Sequence, residues 1–224
     1  MNDTAPKPTA GQPAEEAVAR IVDSIYLHPR HRELLYKTLA FCSEERDELE
    51  AERFIEQQPE CAQALQEPFA LVRQLVTCGG LARAAYDENG VLLDGTLKAE
   101  LVDQGLDDDA IAALATRHAV ATTPAGLAAV TLLDPAYRIA ACANAVPERR
   151  DIFVRLLEHC RKPRSLDSVK QLLDGHPALE PSTRSGGQRL HAAYFIDRLD
   201  EAGGLVWDGA WVTTEAGERF LASV

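Results

Sequence analysis

No CxxC pair occurs among the five cysteines, no apolar run approaches a membrane span, and basic residues are outnumbered, 23 against 35 acidic. Each shortage excludes something. The odd, scattered set Cys42, Cys61, Cys78, Cys142 and Cys160 argues against a zinc site and a disulfide framework, and for a reducing, cytoplasmic setting. A spanning helix needs roughly 18 or more apolar residues in a row, so no membrane segment is expected. The first residues lack a basic start and an apolar core, so no signal peptide is expected either.

Enzyme signatures are missing as well. No GxSxG, HExxH, Walker A or GxGxxG pattern is present. Ser185-Gly186-Gly187 follows no strand and lacks the lysine of a phosphate loop. His159 and Cys160 are neighbours, and helical neighbours point about 100° apart, so they form no dyad by themselves. His28 and His31 read as a solvated turn rather than a metal site. Asp107, Asp108 and Asp109 lack the glycine and glutamate of a calcium loop and read as the start of a short helix. The expectation is a non-enzymatic chain with no catalytic residue, metal or cofactor.

What is present is patterned. Residues 194–217 begin as a helix, with Phe195, Ile196, Leu199 and Ala202 on one apolar stripe. Gly203-Gly204 stops it, since a left-handed C-cap is cheap only without a Cβ. Leu205-Val206-Trp207 and Ala210-Trp211-Val212 read as strands around an Asp208-Gly209 turn, and Thr213 or Thr214 caps a closing helix.

The phrase occurs twice. Residues 71–81 lie over 195–205, including the double glycine, and Thr122-Thr123-Pro124-Ala125-Gly126 answers Thr213-Thr214-Glu215-Ala216-Gly217. Leu39-Ala40-Phe41-Cys42 lies over Leu157-Glu158-His159-Cys160, and Phe54-Ile55 with Pro59 over Leu172-Leu173 with Pro177. Three matches in one order point to two related lobes. In the first, residues 81–86 are expected to pair with 91–93 around Asp87-Glu88-Asn89-Gly90, and residues 95–117 form an insertion without counterpart.

Helix, glycine stop, hairpin and threonine-capped helix together resemble the recognition helix and wing of the winged helix-turn-helix superfamily. The resemblance implies a mainly α fold with small β wings (α+β), as tandem winged helix-turn-helix lobes joined by a helical connection. The divisions read from the sequence are a disordered tail at 1–13, a first lobe at 14–133, a connection at 134–146 and a second lobe at 147–224.

The same resemblance implies a DNA-binding, transcription-regulator-type module, and two observations bear on that. First, residues 1–148 hold 12 basic and 24 acidic groups, whereas residues 149–224 hold 11 of each. Phosphate binding draws on Lys and Arg, so only the second lobe suits double-stranded DNA. Arg184, Ser185, Arg189, His191 and Arg198 are its candidate contacts, with helix 188–202 presenting the arginines near its start. Second, the outward face of that helix is read as Leu190, Ala193, Tyr194, Asp197 and Glu201, and its counterpart as Gln66, Phe69, Ala70, Arg73 and Thr77. The first is poor in groups that match base edges, and the second is partly apolar. The alternative is therefore an acidic protein-interaction or dimerisation adaptor, its interface comprising Leu190, Ala193, Tyr194, Trp207 and Trp211. At least one of the two tryptophans is expected to cover the core.

Overall fold

The computed structural model describes residues 15–181 and 187–224. The expected disordered tail at 1–13 and the candidate phosphate contacts Arg184 and Ser185 lie outside the described residues. The described chain is mainly helical with a few short antiparallel strands, and it divides into two compact units, Met1–Leu132 and Leu133–Val224. Among the described residues no helix is long and apolar enough to cross a membrane.

In the first unit, α1 (Glu15–Tyr26) buries Ile21 and Ile25, and α2 (Arg32–Phe41) buries Leu34, Leu35 and Leu39. A short strand β1 (Arg46–Asp47) ends at the Asp47 carboxylate, which caps α3 (Glu48–Glu56) by accepting the Leu49 N–H at 3.0 Å. Helix α4 (Pro68–Cys78) buries Leu71, Val72 and Leu75 and ends in Gly79 at φ +85, a left-handed cap that closes with Gly80 N–H donating to Leu75 O at 2.8 Å.

Strand β2 (Leu81–Tyr86) corrects the expected first hairpin. It pairs over its whole length with β3 (Arg117–Thr122), from Leu81↔Thr122 to Tyr86↔Arg117, and touches 91–93 only through a Tyr86↔Leu92 bridge. The Asp87 turn is real: its carboxylate accepts the N–H groups of Asn89 and Val91, and Gly90 lies at φ +76. Yet Val91 and Leu92 are exposed, whereas β3 offers the buried Ala119 and Val120, so burial favours the distant partner. The inserted stretch folds as α5 (Gly95–Asp103) and α6 (Asp108–Ala113), the latter capped by Asp107. The sheet runs β1-β3-β2, and α7 (Pro124–Leu132) closes the unit.

The second unit contains α8 (Pro135–Asn144), α9 (Arg150–His159), α10 (Leu166–Leu173), α11 (Ala192–Ala202), the hairpin β4 (Leu205–Trp207) with β5 (Trp211–Thr213), and α12 (Glu215–Leu221). Its core joins Ile139, Phe153, Leu157, Phe195, Leu199 and Phe220. Residues 134–146, expected as a connection, are thus the unit's own first helix: Ile139 and Ala143 of α8 are buried in this core.

The two units repeat each other element for element: α1, α2, α3, α4, β2, β3 and α7 answer α8, α9, α10, α11, β4, β5 and α12. The 3₁₀ turn Pro29–His31 answers Pro147–Arg149. Even β1 has a remnant, because Arg164 bridges Trp211 where Arg46 pairs with Val120. The repeat reaches individual hydrogen bonds. Thr122 Oγ1 donates to Leu39 O, and Thr213 Oγ1 to Leu157 O, both at 2.6 Å. Thr123 Oγ1 donates to Gly79 O at 2.7 Å and accepts Gly126 N–H at 3.0 Å, while Thr214 Oγ1 donates to Gly203 O at 2.6 Å and accepts Gly217 N–H at 3.1 Å. Each threonine pair ties the third strand and the closing helix to the two helices behind them. At about 0.5–1.5 kcal/mol net per bond, the clamp contributes a few kcal/mol to each unit.

Candidate functional site

Helix α11 is fixed by what it buries: Phe195, Ile196 and Leu199 are at most 1 % exposed. It begins at Ala192, not 188, with His191 as an N-cap whose side chain makes no capping bond. That moves two sequence candidates off the helix. Arg189 lies before it and pairs with Glu180 at 3.8 Å. Leu190 donates its N–H to Leu179 O and packs partly buried on the core, so it belongs to the interior rather than the outward face.

The exposed face of α11 is Ala193, Tyr194, Asp197, Arg198 and Glu201, which the fold does bring together. Arg198 is engaged there. Its Nη2 lies 3.1 Å from Glu201 Oε2, and its guanidinium stands 5.9 Å from the Tyr194 ring centre. His191 is exposed at the entrance to the helix.

The wing differs in one detail from the sequence reading. Trp207 and Trp211 pair directly, which leaves a three-residue connection, Asp208–Gly209–Ala210, with Gly209 at φ +67. The indole rings meet edge to face at 5.3 Å. Trp211 packs on the core and Trp207 is 39 % exposed, so one ring covers the interior and the other faces solvent.

In the first unit, α4 exposes Phe69, Arg73 and Thr77, with Phe69 53 % accessible. Leu65, just before the helix and not singled out in the sequence, is 72 % exposed. Its backbone is pinned by a remote partner: the Leu65 N–H donates to His31 Nε2 at 3.0 Å. His31 is therefore buried, not part of a solvated turn, and burial lowers its pKa, helped by the nearby charges of His28 and Arg30. No local sequence signal joins residues 31 and 65.

Of the groups that might suggest chemistry, His159 bonds the Ser168 hydroxyl at 2.9 Å rather than the Cys160 thiol. Burial pushes the thiols of Cys160 and its counterpart Cys42 up to about 11, which keeps both protonated at neutral pH. All five cysteines are free, and among the described residues no group of three or more His, Cys, Asp or Glu could hold a metal.

Charge divides along the units. Met1–Leu132 carries 11 Lys and Arg against 22 Asp and Glu, and Leu133–Val224 carries 12 against 13. Comparison with known proteins adds no assignment: no family model, curated protein or solved structure matches the chain.

Proposed function

We propose that the protein is a non-enzymatic, tandem winged-helix adaptor of the cytoplasm that binds other proteins through the outward faces of α4 and α11. The winged-helix reading is supported by element order: in the first unit helix, strand, two helices and two strands, with sheet order β1-β3-β2, and the same order in the second unit down to the Arg164–Trp211 bridge. The cytoplasmic setting fits five free thiols.

One observation carries the choice of partner. Arg189 and Arg198, the described arginines among the candidate phosphate contacts, are each already paired with a glutamate, while that face offers Tyr194, Asp197 and Glu201. Phosphate contacts would have to break those pairs. A second reading, duplex DNA held by the C-terminal unit, is favoured by the charge asymmetry and by Arg150, Arg155 and Lys162, exposed and without an ion pair among the described residues.

Fluorescence polarisation with a labelled duplex at low salt tests the choice. Adaptor function predicts no saturable binding by the wild-type chain. Binding tighter than about 10⁻⁶ M that weakens steeply with salt, and weakens equally for all sequences in Arg189→Ala/Arg198→Ala, would replace it with the DNA reading.

A further inference from the structure

Residues 64–67 join the 3₁₀ turn Pro59–Gln63 to α4, and a histidine fastens them from outside. Leu65 N–H donates to His31 Nε2 at 3.0 Å, and among the described residues no other hydrogen bond ties residues 64–66 to a distant part of the chain. The Leu65 side chain is 72 % exposed, so packing adds little to the hold. A backbone N–H can only donate, so Nε2 carries no proton and the neutral ring holds its proton on Nδ1. That Nδ1 is buried without a hydrogen-bond partner, in a residue only 3 % exposed. A protonated ring would set its new N–H against the N–H of Leu65 and leave both of its donors buried and unmatched.

The charges acting on the ring also oppose a cation. Burial first, then His28 and Arg30, lowers the His31 pKa, and the His28 ring centre lies 5.8 Å away. The elements packed on the Pro29–His31 turn are α1, α2 and the Pro59–Gln63 turn. Their near ends carry Asp23 and Tyr26, Arg32 and Glu33, and Glu60 and Cys61 respectively. Arg32 stands over the Tyr26 ring at 4.6 Å, and Glu60 is held by Lys37 at 2.7 Å. The second unit has Arg149 at the position matching His31, buried but always charged, so acid has nothing to titrate at that position. We infer that His31 is a pH-sensitive latch: its protonation frees the Leu65 N–H and releases residues 64–67, loosening the entry to α4 while the unit's core and the second unit stay folded. Helix α4 carries one of the two faces of the proposed adaptor, but the latch rests on the His31–Leu65 geometry and stands with or without that reading.

The test is nuclear magnetic resonance of the full ¹⁵N-labelled chain from about pH 7.5 to about pH 5, a range that brackets an ordinary histidine. At the neutral end the ring nitrogen shifts should show His31 as the Nδ1–H tautomer. As His31 titrates, the Leu65 amide should lose about threefold or more of its protection against hydrogen exchange, measured relative to an unstructured chain at the same pH. Cross-peaks of Leu75 in α4 and Leu199 in α11 should stay at their native positions. In His31→Gln, whose side-chain oxygen can accept the same N–H without titrating, Leu65 protection should not change with pH. An Nε2–H tautomer, a ring still neutral at about pH 5, or unchanged Leu65 protection through the titration each overturns the latch. So does an equal fall in His31→Gln, and so does loss of the native Leu75 cross-peak together with Leu65 protection, which would mean unfolding of the unit. The tautomer and the wild-type titration decide the matter even if His31→Gln does not fold.

Discussion

Gly217→Ala is a sharp probe of the clamp that builds each unit. In most helices this change stabilises, because alanine exceeds glycine by about 1 kcal/mol in helix propensity. Here the added Cβ would lie 2.6 Å from Gly204 O and 2.7 Å from Thr213 Cγ2, with Leu157 Cδ2 at 3.2 Å. Neither of the two closest neighbours can yield cheaply. Gly204 O is backbone and accepts the Thr214 N–H, and Thr213 is fixed by its bond to Leu157 O. Overpacking costs about 1–3 kcal/mol, and two contacts under 3 Å put this site at the upper end, so after the propensity gain the loss should be about 2 kcal/mol. Both tryptophans of the chain lie in this unit, so urea unfolding followed by tryptophan emission reports it separately from the first. Gly95→Ala, at a position with open space around it, should leave that transition within about 0.5 kcal/mol of wild type. A Gly217→Ala midpoint at or above wild type would refute the close approach of α12 to the glycine turn.

Other consequences follow from the same contacts. Thr122→Val removes the hydroxyl that donates to Leu39 O and should cost the first unit about 1–3 kcal/mol in urea unfolding read by circular dichroism; an unchanged midpoint would remove the clamp from the account. His31 has a folded pKa below its unfolded 6.5, so its contribution is complete above pH 6.5 and is lost as pH falls through the folded value. The first unit should therefore be less stable at pH 5.5 than at 7.5, and greater stability at 5.5 would contradict the burial of a neutral His31. Trp211→Ala should destabilise the second unit more than Trp207→Ala, which should stay within about 1 kcal/mol of wild type; the reverse order would mean that Trp207 is the ring on the core.

Much of the fold is legible where the deciding interaction is local. The stripe of Phe195, Ile196 and Leu199, the cap at Thr214 and the stop at Gly203 depend on residues a few positions apart, and all are present. What sequence patterning misses is non-local. The Asp87–Gly90 turn invites a short hairpin, but β2 gains a six-residue partner by waiting for β3, with two helices between them. Helix α8 reads as a linker because its stretch is rich in alanine. However, Ile139 and Ala143 stand 118 positions after Ile21 and Ile25, the spacing that also joins Leu39 to Leu157, and that offset was available. At the candidate site the face of α11 is legible from periodicity. The i,i+3 pair of Arg198 with Glu201 is equally local, whereas the pairing of Arg189 with Glu180 joins residues nine apart and has no sequence signal.

The duplication separates what holds each unit together from what each unit can bind. A Cβ on Gly126 or Gly217 would collide with the carbonyl of Gly80 or Gly204, and the threonines beside them spend their hydroxyls on the same carbonyl positions in both units. Those residues carry the backbone, so their agreement says nothing about ligands. The outward positions are under no such constraint, and they disagree: Phe69, Ala70, Arg73 and Thr77 of α4 stand where α11 has Ala193, Tyr194, Asp197 and Glu201. An apolar ring has moved by one position, a cation has become an anion, and a neutral hydroxyl has become a carboxylate. Faces that differ in charge and shape on one shared scaffold fit the proposed adaptor, in which each unit would recognise a protein surface of its own.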